Sequence, residues 1–430
     1  MSCPAPSQAL FAAQRSEGAC PRVRHLLTGT FNTHFLHLLS FDSLTRTLSV
    51  LASLPAQGPH SFLAAGRSGS SAGKLVDRVY ATTWAQEKTL SAWSIDWHGE
   101  AAQVRLINSV PITATSSYVH VQPPSYSSLT SPSYGLQPGP ARFLYSTGGP
   151  TGEVHTIDAE TGALREKTQE IVFLRGGQKD LEAADKSRKA LRYGAHNVDV
   201  GRGHLAYVAD LGRNAILTYQ QDPETGLLGD LLSETASPDD GDGPRHVVPS
   251  PDGNWVFAVT EHTSYLDVYR QETSPQSLKH VQRLSLLPPD VPITDYRGDT
   301  VRLSPGGNEI LATTRGKTSA IKGFVTAWKL NWSAGLSPVV GGQEPVSRFE
   351  TPTSGGKANA IEFAPRYASK DGQGSHVKDL AVLTDDEQGF VLVLEWNGTD
   401  LVEVARTKLP GKDDEDENEP EKASHAIWLS

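Results

Sequence analysis

Cysteine is nearly absent: Cys3 and Cys20 are the only two in 430 residues. That excludes a disulfide framework and fits a reducing compartment, so the expected location is the cytoplasm. Long hydrophobic runs are also missing. No stretch approaches the roughly 18 uninterrupted apolar residues that a membrane helix needs. The opening MSCPAPSQALFAAQRSEGAC lacks the apolar core of a secretory signal and reads as a flexible leader over residues 1–22. It has no acidic residue before Glu17 and carries Arg15, which leaves an organelle-targeting reading open. Positive charge is in deficit, with 39 Lys and Arg against 49 Asp and Glu and a net charge of −10. Phosphates would be repelled, which argues against nucleic acid and anionic membranes as partners.

What the chain does contain is short Val/Ile/Leu/Phe/Tyr runs punctuated by Gly, Pro, Asp and Asn, the pattern of an all-β protein. One unit recurs at roughly 45–55 residues, the spacing expected of four-stranded propeller blades. Its clearest copy starts GPRHVVPSPDGNWVFAVTE at Gly243. There Pro251 presets φ and Gly253 supplies a positive φ, so Ser250 to Gly253 forms a turn. Further copies run from Tyr193 (YGAHNVDV), Tyr296 (YRGDTVRLSPGG) and Lys357 (KANAIEFAPR), with weaker ones from Ser61 and Ser117. The segment His25 to Leu54 holds only the last three strands of a unit. SHAIWLS, from Ser424, resembles the missing first strand. Joining the two closes a ring that leaves few exposed edges. The expected fold is one seven-bladed β-propeller over residues 23–430, closed by a C-terminal strand on the N-terminal blade. A frayed C-terminus is the alternative, but Ala426, Ile427, Trp428 and Leu429 are too apolar for a favoured solvated tail.

Insertions fall between strands. GRSGSSAGK (Gly66 to Lys74) and the Pro/Ser-rich stretch after Val121 read as surface loops, and GGQKDLEAADKSRKALR as a short helix or a mobile loop. The acidic run Asp413, Asp414, Glu415, Asp416, Glu417 and Glu419 lies in a linker at 411–422 before the closing strand. It reads as solvated linker in preference to a calcium or partner site.

In a propeller the first strand of each blade lines the central channel, so polar residues at equivalent places converge on the axis. His196 lies in one first strand and Arg245 at the matching position one blade later. Glu261 follows the second strand of that blade, and Arg315 holds the corresponding place in the next. Taken singly, such a His is usually a hydrogen-bonded structural residue, and such an Arg or Glu a surface charge. Together at one end of an axis they form a candidate site. Two guanidiniums suit a substrate with several carboxylates, since each can bind one bidentately.

From His25 to Trp428 the chain resembles the fungal carboxy-cis,cis-muconate cyclases within the lactonase-like seven-bladed propellers. The segments that carry the resemblance are HLLTGTF, GPRHVVPSPDGNWVFAVTE, TPTSGGKANAI, LTDDEQGFVLVLEW and HAIW. The family's active-site His, Arg, Glu and Arg fall on His196, Arg245, Glu261 and Arg315. The chain departs from the pattern at Gly243, where a His is often found, and at Lys357. The resemblance implies a cycloisomerase that lactonises 3-carboxy-cis,cis-muconate in aromatic catabolism, with no cofactor and no metal. Its partner would be a small polycarboxylate, and a homo-oligomer is compatible with it. Arg245 and Arg315 would hold carboxylates. His196 and Glu261 are the candidate acids, His196 being favoured because its unperturbed pKa lies near working pH. Two other readings stand beside this one. A lactone hydrolase of the 6-phosphogluconolactonase type would use the same arginines. A non-catalytic interaction propeller is the third, although the chain has no Trp-Asp dipeptide, the usual repeat signature of scaffold propellers.

Overall fold

The computed structural model describes residues 22–69, 76–85, 87–98, 101–122, 140–274, 276–365, 378–411 and 420–429. The leader with its two cysteines, most of the Gly/Ser-rich and Pro/Ser-rich loops and the acidic run lie outside the described residues. Seven antiparallel sheets follow one another around an axis. Blade 1 takes its innermost strand from Ala423–Leu429 and its other three from Val23–Thr30, Phe35–Asp42 and Thr47–Pro55. The innermost strands of blades 2 to 7 begin at His60, Tyr118, Ala195, Pro244, Tyr296 and Ile361. Blade 6 splits its outer edge between Val339–Val340 and Ser347–Glu350, both paired with Phe324–Leu330.

The expected ring closure is present. Leu26 pairs with Trp428, Leu27 with Ile427 and Thr28 with Ala426. Ser250 to Gly253 makes the expected turn, with the Gly253 N–H donating to the Ser250 carbonyl at 3.0 Å and Gly253 at φ 76°. The charged insertion before blade 4 holds a one-and-a-half-turn helix, Gln178–Ala183, and a 3-10 turn, Arg188–Arg192. Among the described residues, no helix is long and apolar enough to cross a membrane.

The core is distributed between the blades. Phe257 and Val259 pack toward blade 6, while Val256 and Ala258, their neighbours in the same strand, pack toward blade 4. Leu26 and Trp428 face blade 7 in the same way, and Leu27 and Ile427 face blade 2. Successive strand residues point to opposite faces, and here both faces are covered. This is why the strands read as continuous apolar runs and not as alternation. With apolar side chains spent between blades, the axis is left for polar groups.

Candidate functional site

The residues on the axis are placed by a repeated irregularity. In blade 4, Ala195 pairs with Asp210 and Asn197 with Ala209, so His196 is one residue too many for the ladder. In blade 5, Pro244 pairs with Thr260 and His246 with Val259, leaving Arg245 over. Blade 6 slips by one between Gly298 and Val301, a gap that contains Asp299. A bulge bends the strand and re-aims the extra side chain. His196, Arg245 and Asp299 are therefore turned to the axis by the same device in three consecutive blades. Glu261 and Arg315 come from the ends of the second strands beside them.

The four sequence-predicted residues lie together at one end of the channel. Glu261 is buried and is met by three guanidiniums. Arg245 Nε lies 3.2 Å from its Oε2, Arg315 Nη2 lies 3.4 Å from its Oε1, and Arg297 Nη1 donates to Oε1 at 2.6 Å. Asp299, only 1% exposed, takes the other side of two of these arginines, Arg245 and Arg315. Its Oδ1 is 3.1 Å from Arg245 Nη1 and its Oδ2 is 2.9 Å from Arg315 Nε. His196 is half-buried and within electrostatic reach of Arg245, Glu261 and Arg315, and Ser117 Oγ donates to its backbone carbonyl at 2.7 Å.

This environment sets the charges. Burial pushes the Glu261 carboxyl up, but Arg315, Arg245 and Arg297 together outweigh it and hold it at about 2, so Glu261 is an anion. Burial, followed by Arg245, drives the His196 imidazole well below its usual range, so it is neutral at neutral pH. Burial opposes the charge on Arg315, but Glu261, Asp299 and Asp386 raise its pKa. Asp386 goes the other way: burial lifts its carboxyl to about 7 against the backbone N–H groups of Ala358 and Lys357, which donate to it.

Arg297, Asp299 and Asp386 were not singled out in the sequence. Asp299 had a usable signal. Aligning Ser304 with Ser250, the first residue of the equivalent turn, sets Asp299 on Arg245. Arg297 had none, because it acts by reaching from blade 6 to a carboxylate on blade 5. At Gly243, φ is 66° and a Cβ would lie 2.6 Å from the His262 ring, so the neighbouring imidazole occupies the space of any side chain there. No group of three or more His, Cys, Asp or Glu side chains among the described residues is arranged to hold a metal ion. The mouth presents guanidiniums instead, an arrangement for anions.

A seven-bladed ring with arginines gathered at one end of its axis matches a known class. The model of the lactonase family, described as "Lactonase, 7-bladed beta-propeller", covers residues 25–336. The chain belongs to that family. It is 32% identical to a protein of Cutaneotrichosporon cutaneum named muconate cycloisomerase 1, over 89% of this chain and 93% of that one. It is also 26% identical to the carboxy-cis,cis-muconate cyclase of Neurospora crassa, over 52% of this chain and 56% of that one. Among solved structures, the periplasmic gluconolactonase of Pseudomonas aeruginosa superposes with a TM-score of 0.65 at 15% identity, covering 95% of this chain and 99% of that one, a likeness of fold.

Proposed function

We propose that the protein is a cycloisomerase that closes a lactone on 3-carboxy-cis,cis-muconate. The observation that carries this reading is three arginines gathered on one ionised glutamate, beside a neutral histidine, in a chain whose near-full-length relative is named for muconate. In the reaction a substrate carboxylate oxygen adds to the conjugated diene. The displaced π electrons collect as an enolate on the carboxylate at the other end, and carbon then takes one proton. One C–O bond and one C–H bond form at the expense of a π bond and the bond to the donated proton. The nucleophile belongs to the substrate, so the protein has to align its ends, stabilise the enolate and deliver the proton.

Arg245 and Arg315 bind the carboxylates. Their contacts to Glu261 and Asp299 engage Nε and Nη1 of Arg245 and Nε and Nη2 of Arg315. A guanidinium carries five N–H donors, so each arginine retains capacity for a substrate oxygen. Glu261, held as an anion, fixes the arginine planes and gives up no proton. His196 is the proton donor. A bound polyanion offsets the arginine charges that help hold its pKa down, so the imidazole gains its proton as substrate arrives.

The test follows the loss of diene absorbance with purified, EDTA-treated protein, using 3-carboxy-cis,cis-muconate and cis,cis-muconate, with 6-phosphogluconolactone hydrolysis as the competing assay. Lactone hydrolysis without diene loss would overturn the reading. His196→Asn should lower kcat by about 10²- to 10⁴-fold while changing KM much less. Unchanged turnover in that variant would remove His196 from the chemistry.

A further inference from the structure

The mouth has a second wall, made of rings instead of charges. Glu261 is not unique in its place in the repeat. Its backbone N–H donates to the Gly243 carbonyl, just ahead of its blade's inner strand, at 2.7 Å. Phe31 does the same to Lys422 at 2.8 Å, Trp84 to Pro59 at 2.8 Å and Leu211 to Gly194 at 3.1 Å. These residues therefore occupy one level of one end of the channel. In blades 5 and 6 that level is charged, with Glu261 and Arg315. In blades 1 and 2 it is aromatic, with Phe31 and Trp84. Blades 1 and 2 each stand three places around the seven-fold ring from blade 5, so the aromatic arc faces the charged one across the axis.

The arc is continuous. The Phe31 and Trp84 rings lie 4.6 Å apart between centroids at 34°, and Ala358 and Ala360 extend the apolar surface onto blade 7. Cations flank it: Arg188 Cζ is 5.2 Å from the Trp84 ring, and Lys357 Nζ is 6.0 Å from that of Phe31. Trp84 Nε1 is buried with no acceptor among the described residues. Such a donor has lost water without replacing it, a cost a ligand oxygen would relieve.

We propose that Trp84, backed by Phe31, is a positioning residue that takes the planar conjugated chain of an unsaturated polycarboxylate against its ring, while Arg245 and Arg315 hold the carboxylate at the opposite end. This rests on the muconate reading and sharpens it: the site selects for sp² carbon between the carboxylates, not for carboxylates alone. A flat π system gains offset contact with an aromatic wall that a puckered, saturated chain does not. The Nε1–H supplies an oxygen contact away from the arginines.

The experiment compares two ligands that do not lactonise here, trans,trans-muconate and adipate, the latter being the saturated six-carbon dicarboxylate. Their Kd values are measured by calorimetry on the full chain. The wild type is expected to bind the diene about tenfold more tightly than adipate. Trp84→Leu should reduce that ratio to about twofold or less, with adipate weakened only as far as the loss of the N–H contact weakens it, since the leucine removes both the N–H and the π face. Trp84→Phe keeps a ring without the N–H. It should preserve the ratio while weakening both ligands, and it stands in if the leucine variant does not fold. A wild-type ratio in Trp84→Leu, or undiminished binding of both ligands by Trp84→Phe, would overturn the proposal, as would equal binding of diene and adipate by a wild type that lactonises. A wild type that neither lactonises muconates nor binds either ligand removes the muconate reading itself.

Discussion

Two clusters on the channel axis are built from the same residue types and closed off very differently. At the mouth, Arg245, Arg297 and Arg315 surround Glu261 and Asp299. Arg302 stands three residues beyond Asp299 in the same inner strand, about 10 Å deeper at a strand rise of 3.3 Å per residue. There its Nε donates to Glu362 at 2.8 Å and its Nη1 contacts His246. Asp199 beside it accepts from Tyr118 at 3.2 Å and lies 2.8 Å from His120. Aromatic rings seal this level: Phe62 stacks on His425 at 3.8 Å and meets Tyr118 at 4.3 Å. Burial drives His246 and His425 well below their usual range, so both are neutral. The deeper cluster pairs one guanidinium with an acid and caps it. The mouth has three guanidiniums on two carboxylates, and Arg297 keeps 37% of its side chain exposed. An axial position makes a residue polar, and only an excess of one sign next to solvent makes a site.

The most severe way to break that contrast is at depth. Arg302→Leu strands Glu362 without its buried cation, and losing one partner of such a pair costs about 3–5 kcal/mol. Chemical denaturation should show a loss of that size. A loss under about 1 kcal/mol would mean the deep cluster is not the plug its packing implies. At the mouth the effects should move from stability to catalysis. Arg245→Lys or Arg315→Lys replaces a planar fork with a point charge and should lower kcat/KM by about 1–3 kcal/mol with the denaturation midpoint nearly unchanged. Full activity in both would separate these arginines from the substrate. Arg297→Leu should be milder still, about tenfold in kcat/KM with under 1 kcal/mol in stability, because its guanidinium reaches Glu261 from a half-exposed position.

The same contrast shows what could be read in advance. The blades were legible because turn chemistry and strand composition repeat: Gly253 has to take a positive φ, and HAIW has to be buried somewhere. His196 and Arg245 were legible as equivalent places in consecutive first strands. Asp299 holds that place too once the two turns are aligned, but the extra residue in the ladder appears only once strands are paired. Arg297 and Asp386 matter through contacts across blade boundaries, which no local pattern encodes. Phe31 and Trp84 were invisible for the opposite reason, since an aromatic residue at the end of an apolar run looks like core. His246 and Arg302 sit inside inner strands of the repeat, where nothing local distinguishes a deep axial ion pair from an outward-facing charge.

The smallest expected effect lies in a pH profile and concerns Asp386, at the edge of the mouth. Its carboxyl is lifted to about 7 in the fold, against 3.8 for an unperturbed group. Between those values the folded chain holds a proton that the unfolded chain has released, so stability falls as pH rises from about 4 to about 7 and is flat above. Glu261 acts in a separate window. Its folded value of about 2 lies below 4.5, so its contribution is present above pH 4.5 and is lost as pH falls toward 2. Asp386→Asn keeps an oxygen to accept from the Lys357 and Ala358 N–H groups and removes the titration. Denaturation midpoints at pH 4.5 and 7.5 should therefore drop less in the variant than in the wild type. Parallel drops would mean that Asp386 ionises freely in the fold, and that the excess positive charge at the mouth is answered by a third fixed anion before any substrate arrives.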